Sequence, residues 1–564
     1  MKYFKKLVVM ILMLLCVVIP MKVEAKKIDA KPQMVDILLN DEPDRASVYN
    51  INGDNYLQLS DLAQLLVNES SKFNFNLDKK SKVIEIIPKQ KYVFGYYTYR
   101  DKKNTPKKIS NNSTKLLING KTHNLKTYLI DGNTYFKLND LASLLGFEVG
   151  YDQKAKKVNI TTEPIPGVHQ LGKLAWGVNL KSSNHPSWAD QVKDFVFENN
   201  GGTISLLEVE DEIVITTYDS NYKKLASKKV KRELQKFGVF YSGEKYNYIS
   251  YGATNTEESN KEVIRIVKYD KNFNRISAAS IKGHDITTTI PFNASSGGRM
   301  AEYGDILAYH TSRERYTSED GKNHQSQLTI EIDTNTMQVI NELSPFQWNH
   351  VSHSFDQYVT MDGDATVYLD HGDAYPRSLV LHKKTIDGEN EVLSFFDISG
   401  KRGANVTGVS IGGFEQSSSH YLVAFNSINQ NNNYEYTSFD LVNGDADKRN
   451  VYVYAITKDF SYSNQQMTKT VIANYEKTKL YTTTPTLVKV TDDKFVVLWQ
   501  EYSKDLIMGD FKYVYVNGLG EMTSPVRTLP DFKLSNVQPI VKDNKIIWFA
   551  KDGKRKVIYE IDVQ

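Results

Sequence analysis

From residue 168 to the end the chain repeats one pattern: a run of β-branched and aromatic residues, a polar tip, then another run. Two of the tips nearly match, Tyr218-Asp219-Ser220-Asn221-Tyr222 and Tyr269-Asp270-Lys271-Asn272-Phe273. Short apolar runs bounded by Asn, Asp, Gly and Lys are strand-and-turn signals. One strand of each unit is expected near 246–251, 306–311, 421–426, 495–499 and 546–549. Its partner is expected at 213–218, 263–269, 328–332, 379–382, 451–456, 511–516 and 557–561. Repeats of roughly 40–50 residues with about four strands each mark a β-propeller. The longer intervals leave room for exposed loops at 312–325 and 427–449. Seven blades are expected, with six or eight as the alternatives. A strand near 174–180 is the candidate to complete the last blade. A pair of β-sandwiches is the competing fold, and the recurring tip favours a single repeated unit.

The first 25 residues have the form of a secretory leader. Lys2, Lys5 and Lys6 precede an apolar run over 7–19, Pro20 ends it, and Val23-Glu24-Ala25 suits a peptidase. A membrane anchor needs roughly 20 apolar residues, more than this run supplies. Cleavage after Ala25 is expected, and Leu15 before Cys16 argues against a lipobox. Cys16 is the chain's one cysteine, so the mature protein has no disulfide or thiolate chemistry. No later stretch reaches membrane-spanning length. The terminal strand carries no sorting signal, so covalent wall anchoring is not expected.

Between the leader and the propeller, two segments match: Tyr56-Leu57-Gln58-Leu59-Ser60-Asp61-Leu62-Ala63-Gln64-Leu65-Leu66 and Tyr135-Phe136-Lys137-Leu138-Asn139-Asp140-Leu141-Ala142-Ser143-Leu144-Leu145. Each follows a Gly-containing turn and leads to a further strand pair, so one unit reads hairpin, short helix, hairpin. Ser60 and Asn139 are the expected N-caps. These motifs resemble the stalk-like N-terminal domain of certain copper amine oxidases, also found on exported Firmicutes proteins, over about residues 30–162. The resemblance implies presentation at a cell surface and nothing catalytic. Copper is not expected, since the module holds one histidine, His123, and no cysteine. The domain reading is therefore a signal peptide at 1–25, a two-repeat module at 26–163, a proline-stiffened linker at 164–167 and a propeller at 168–564. Residues 101–108 form a charged, exposed link between the two copies. The fold class is mainly β: a small α+β module followed by a β-propeller.

Charge narrows the partners. Residues 26–163 carry 22 basic and 16 acidic side chains, and the leader accounts for all of the chain's net +3, so the propeller is mildly acidic. Nucleic acid would need a concentrated basic face. The basic module would suit an anionic cell-wall polymer, although a solvated lysine-rich surface is the plainer account.

One stretch gathers polar groups: Trp348-Asn349-His350-Val351-Ser352-His353-Ser354-Phe355-Asp356-Gln357, then Asp370-His371-Gly372-Asp373-Ala374-Tyr375-Pro376-Arg377, joined by a turn at Asp362-Gly363-Asp364. Three chemistries suit it. His353, His371 and Arg377 could act on an anionic or sugar substrate, histidine serving as acid or base; arylsulfotransferase-type propellers offer an architectural parallel without a motif match. His350 and His353 with an aspartate could hold a divalent metal. Asp362, Asp364, Asp370 and Asp373 could hold Ca²⁺. For recognition, His350, Asp370, Asp373 and Tyr375 are the candidate ligand contacts. Alternatively these side chains simply tie strands together. No G-x-S-x-G, Walker loop or H-E-x-x-H occurs, Ser296-Gly297-Gly298-Arg299 reads as a lone glycine turn, and abundant tyrosine suits strands by propensity. The expectation is an exported, non-enzymatic propeller that binds a cell-wall polymer, glycan or extracellular protein. An extracellular hydrolase or transferase is the alternative.

Overall fold

The structure, a computed structural model, describes residues 29–564 except 79, 94–106, 153–156, 258, 293–296, 345–346, 348–350, 386 and 507. The expected leader, most of the link at 101–108 and His350 lie outside the described residues. The chain divides into two compact units, 1–165 and 166–564. Among the described residues no helix is long and apolar enough to cross a membrane.

In the first unit the two sequence copies exchange strands. The first copy runs Asp29–Leu39, Glu42–Ile51, Asp54–Leu57, helix Leu59–Leu65, Phe73–Leu77 and Val83–Pro88; the second repeats this from Lys107–Ile118 to Lys157–Thr162 around helix Leu138–Leu145. The last strand of each copy lies parallel to the first strand of the other, Ile37 opposite Val158 and Val83 opposite Lys115. The copies also meet where Tyr56 and Leu57 pair with Lys137 and Phe136. A buried tyrosine cluster follows the same symmetry: Tyr49 meets Tyr135 and Tyr56 meets Tyr128, ring centroids 5.0 Å apart in both pairs. The caps differ from expectation. The helices begin one residue earlier than Ser60 and Asn139, at Leu59 and Leu138, and neither Gln58 nor Lys137 ahead of them makes a side-chain cap. Both leucines are buried, so the strand-to-helix corner is set by packing instead of by a cap.

The second unit consists of seven small antiparallel sheets in chain order, a seven-bladed propeller. Blade 1 spans strands Asp194–Glu198 to Lys224–Val230, blade 2 Lys236–Ser242 to Arg275–Lys282, blade 3 Ile290–Pro291 to Gln338–Val339, and blade 4 Ser352–Asp362 to Asn390–Asp397. Blade 5 spans Val409–Gln416 to Met467–Ala473 and blade 6 Leu480–Thr482 to Arg527–Leu529. Blade 7 combines Ile540–Lys542 and Lys545–Asp562 with Val168–Val178 from the start of the unit. Val168 lies opposite Tyr559 and Gln170 opposite Val557. The ring therefore closes with an N-terminal strand that begins a few residues before the expected 174–180.

Apolar side chains are buried between blades rather than in one central core. Phe197 and Leu207 of blade 1 pack with Phe240 and Ile249 of blade 2, and similar layers join blades 2 and 3, 4 and 5, 5 and 6, and 6 and 7. Val196, Leu206 and Tyr218 of blade 1 meet Ile547, Phe549 and Ile558 of blade 7, completing the circle. The layer between blades 3 and 4 is thinner: Ala308, Val359, Met361 and Tyr368. Polar pairs fill it out, with His310 Nε2 3.0 Å from Asp370 Oδ2 and Glu331 accepting from Thr366, Tyr368 and Lys384.

The repeated tips are the same turn. Asp219 Oδ1 accepts the amides of Asn221 and Lys223, Asp270 Oδ1 those of Asn272 and Asn274, and Tyr222 and Phe273 both take positive φ. The expected loop at 312–325 is instead mostly strand. Ile306–Thr317 and Asn323–Asp333 stay paired through Arg313 opposite Ser326 and Glu314 opposite Gln325, leaving a short turn. Arg313, Gln325, Ser326 and Gln327 are buried, so a polar sequence here forms a covered hairpin.

Candidate functional site: the well at the ring centre

Asn179 to Val192 cross the mouth of the ring. The Lys181 amide bonds the Leu534 carbonyl and its ammonium the Pro485 carbonyl; His185 Nε2 lies 3.2 Å from the Thr482 carbonyl. Further on, the Trp188 ring meets Phe355 at 5.1 Å, the Ala189 amide bonds the Phe355 carbonyl, and Gln191 reaches the Phe237 and Gly238 carbonyls. The segment thus touches blades 6, 4 and 2 in turn. Beneath it lies a cavity of about 130 Å³ lined by Lys181, His185, Arg299, Asp356, Tyr358 and His371, among others.

Local backbone features aim these groups. Arg299 opens the inner strand of blade 3 directly after Gly297 and Gly298. A Cβ on Gly297 would fall 1.8 Å from the Gly238 carbonyl oxygen, and one on Gly298, at φ +87°, 2.2 Å from that of His310. The apparently lone glycine turn is therefore what lets Arg299 reach the well. Asp356 sits where the blade 4 register shifts between Ser354 and Gln357, a bulge that re-aims side chains. The Arg299 guanidinium stacks on the Tyr358 ring at 4.5 Å and lies 4.0 Å from Asp356 Oδ1.

Burial in the well works against charge on the lysine, the histidines and the aspartate alike. Burial pushes the Asp356 acid up to about 6, against the pull of Arg299 and Lys181. Burial, with Arg299 beside it, brings the Lys181 ammonium down to about 8. Burial, then Arg449 and Arg377, lowers His371 to about 3, and burial with Arg449 holds His185 well below its usual value. Both rings are thus neutral near pH 7. His371 Nε2 is buried and has no hydrogen-bond partner. The arrangement offers two cations, the weakly acidic Asp356, an exposed carboxyl at Asp190 and an open imidazole nitrogen to a small ligand.

The residues singled out in sequence are spread over blade 4. His371 reaches the well and packs its ring on Phe355 at 5.0 Å. Arg377 donates to the main-chain carbonyls of Ser399, Ala404 and Val406, so its guanidinium fastens a loop. His353 Nδ1 lies 3.0 Å from Asp373 Oδ2. Asp370 is fully buried between His310 and the Ser354 hydroxyl. Tyr375 is 74% exposed, with the Arg402 guanidinium 5.4 Å over its ring. Asp362 and Asp364 lie at the other end of the hairpin from Asp370 and Asp373, and Asp362 is bound by Lys383, Lys458 and Tyr421. The four aspartates do not converge. Sequence reasoning missed Lys181, Arg299 and Tyr358, and it included Asp356 in the polar stretch without assigning it a role. Gly297-Gly298 before an arginine was the available signal for one of them.

No sequence family and no curated protein matches the chain. Solved structures with similar shape include the subtype N10 neuraminidase-like protein of A/little yellow-shouldered bat/Guatemala/060/2010, at 8% identity and TM-score 0.33, over 62% of this chain and 99% of that one. The quinohemoprotein alcohol dehydrogenase of Comamonas testosteroni aligns at 9% identity and TM-score 0.35, over 64% and 65%. A Synechocystis apocarotenoid oxygenase mutant aligns at 10% and 0.30, over 73% and 86%. At such scores the blade assignment rests on the chain's own sheet pairings.

Proposed function

We propose that this chain is an exported, cell-surface or secreted binding protein whose propeller takes an anionic group, the carboxylate of an acidic glycan or peptide, into the central well. One observation carries the proposal: Lys181 and Arg299 face a cavity whose buried carboxyl, Asp356, is itself held weakly acidic, while the other lining carboxyl, Asp190, is exposed to solvent. An entering carboxylate gains charge-assisted hydrogen bonds in a site with little water, and His371 Nε2 supplies a further polar contact. A cavity of about 130 Å³ is below the usual range of roughly 300–1,000 Å³ for whole small-molecule sites, so it suits one terminal group of a larger ligand. The leader-like start supports export, and the paired Leu/Ala motifs support a stalk role for the first unit. Catalysis by His353, His371 and Arg377 is less well supported, because Arg377 is occupied by main-chain carbonyls.

The test is a panel of acidic and neutral glycans and peptides offered to the mature chain and to Arg299→Ala and Lys181→Ala. Selective binding of acidic members, weakened roughly 10–100-fold in each variant, is expected from loss of a charged hydrogen bond. Equal binding of acidic and neutral members, or variants indistinguishable from the parent, would refute the proposal.

A further inference from the structure

Blade 3's long hairpin carries His324 out to the rim, where it faces His353 of blade 4. His324 Nδ1 and His353 Nε2 are 3.4 Å apart. The opposite nitrogen of each ring is held by a carboxylate: His324 Nε2 lies 2.9 Å from Asp320 Oδ2, and His353 Nδ1 lies 3.0 Å from Asp373 Oδ2. We propose that His324 and His353 together bind a zinc-like divalent transition-metal ion that joins blade 3 to blade 4.

The argument starts from hydrogen-bond roles. An ionised carboxylate only accepts, so each outer ring nitrogen must carry the proton. In neutral imidazoles the two inner nitrogens are then both lone-pair acceptors, and they point at each other. Two facing acceptors need something electropositive between them. Zinc–imidazole bonds of about 2.0–2.1 Å at a tetrahedral angle separate the two nitrogens by about 3.3–3.4 Å, which is the spacing here. Carboxylates behind the ligating rings are the usual outer shell of such sites, fixing tautomer and ring orientation. Asp373 is fully buried, and its Oδ1 has no hydrogen-bond partner, so its charge is available to the assembly. His353 also holds a left-handed backbone, φ 48°, of the kind that persists where surroundings enforce it.

Both imidazoles are about one quarter exposed, so an ion can enter from solvent. Among the described residues no group of three or more His, Cys, Asp or Glu is arranged to hold a metal. The two histidines are therefore the protein ligands, and water completes the coordination. Borderline ions prefer such nitrogen ligands, while Ca²⁺ and Mg²⁺ prefer oxygen.

The experiment is zinc titration of the mature, tag-free protein by calorimetry, repeated with His324→Ala, His324→Gln, His353→Ala and Asp373→Asn. One zinc per chain is expected, abolished in the histidine variants and weakened roughly 10–100-fold in Asp373→Asn. Zinc should raise the melting temperature of the parent and leave that of His324→Gln unchanged, a comparison that holds even if His353→Ala folds poorly. Cobalt in place of zinc should give the intense visible bands of tetrahedral coordination. No stoichiometric uptake, uptake intact without His324, or displacement by equimolar Ca²⁺ would overturn the proposal. The well is untouched by these substitutions, so binding of acidic ligands should persist in every variant.

Discussion

The Lys551 ammonium in blade 7 lies 2.7 Å from Asp194 Oδ1 in blade 1, a buried ion pair between the two ends of the ring. Glu208 adds a second carboxylate at 3.1 Å and is itself bound by Lys556 at 2.7 Å. Removing one member of a buried pair leaves an uncompensated charge and costs about 3–5 kcal/mol. Lys551→Met should lower the stability of the propeller by that order. All five tryptophans lie in the second unit, so denaturant unfolding followed by their fluorescence reads the change. A shift of under about 1 kcal/mol would mean that strand pairing alone closes the ring.

Asp362 predicts an acid limb. Burial alone would raise its pKa, but hydrogen bonds from Lys458, Tyr421 and Lys383 outweigh it and bring the value down to about 2. A carboxyl depressed on folding stabilises the native state above its unfolded value, about 3.9, and loses that contribution as pH falls toward 2. Asp362→Asn should therefore cost about 2 kcal/mol at pH 7, with the gap to the parent closing between pH 4 and pH 2. A gap independent of pH would assign the loss to packing.

The well predicts a two-step pH profile for anion binding. Below about 6 Asp356 is protonated and no longer competes with a ligand for Arg299 and Lys181; above about 8 Lys181 loses its charge. His185 and His371 stay neutral throughout, being lowered well below this range. Affinity should be greatest near pH 5 and fall once near 6 and again near 8. Asp356→Asn should erase the first step and keep the second. The same raised acid makes folding stability decline as pH rises from about 4 to about 6, a decline that the variant should lack.

The tyrosine cluster predicts matched effects in the two copies of the first unit. Gln58 Nε2 donates to the Tyr135 hydroxyl at 2.9 Å, so Tyr135→Phe should cost about 1 kcal/mol. Tyr56→Ala and Tyr135→Ala each empty a buried aromatic site and should cost about 3–5 kcal/mol. Hydrogen exchange over residues 29–162, read by mass spectrometry, should show both copies loosening in either variant. Loosening confined to the mutated copy would show that the exchanged strands do not couple them.

Much of the architecture was legible because strands announce themselves locally. All seven expected second strands, from 213–218 to 557–561, fall inside strands of seven successive sheets, since alternation and tip chemistry are short-range signals. The hairpin at 312–325 was misread as a loop because its polar residues are satisfied by neighbours distant in sequence, as when Gln325 donates to the Ser354 carbonyl. The central well was less visible still. Lys181 comes from an irregular segment, Arg299 from behind two glycines, and Asp356 from a bulge. His371 was found, yet its partners are set by ring geometry that no local pattern encodes. His353 was also singled out, but with His350 as its companion; the structure supplies His324 from another blade.

Among the described residues, the seam between blades 3 and 4 has the thinnest apolar layer of the seven. Hydrocarbon layers bind without regard to direction and tolerate small slips, whereas paired ionisable groups such as His310 and Asp370 hold only at fixed distances. A ring concentrates its breathing at the joint where the hydrocarbon layer is thinnest. Amides along Ser352–Asp362 and Asn323–Asp333 should then exchange with solvent sooner than their counterparts in other blades. An ion seated between His324 and His353 would act as a clasp across that joint, so occupancy at the rim would govern how freely the whole circle flexes.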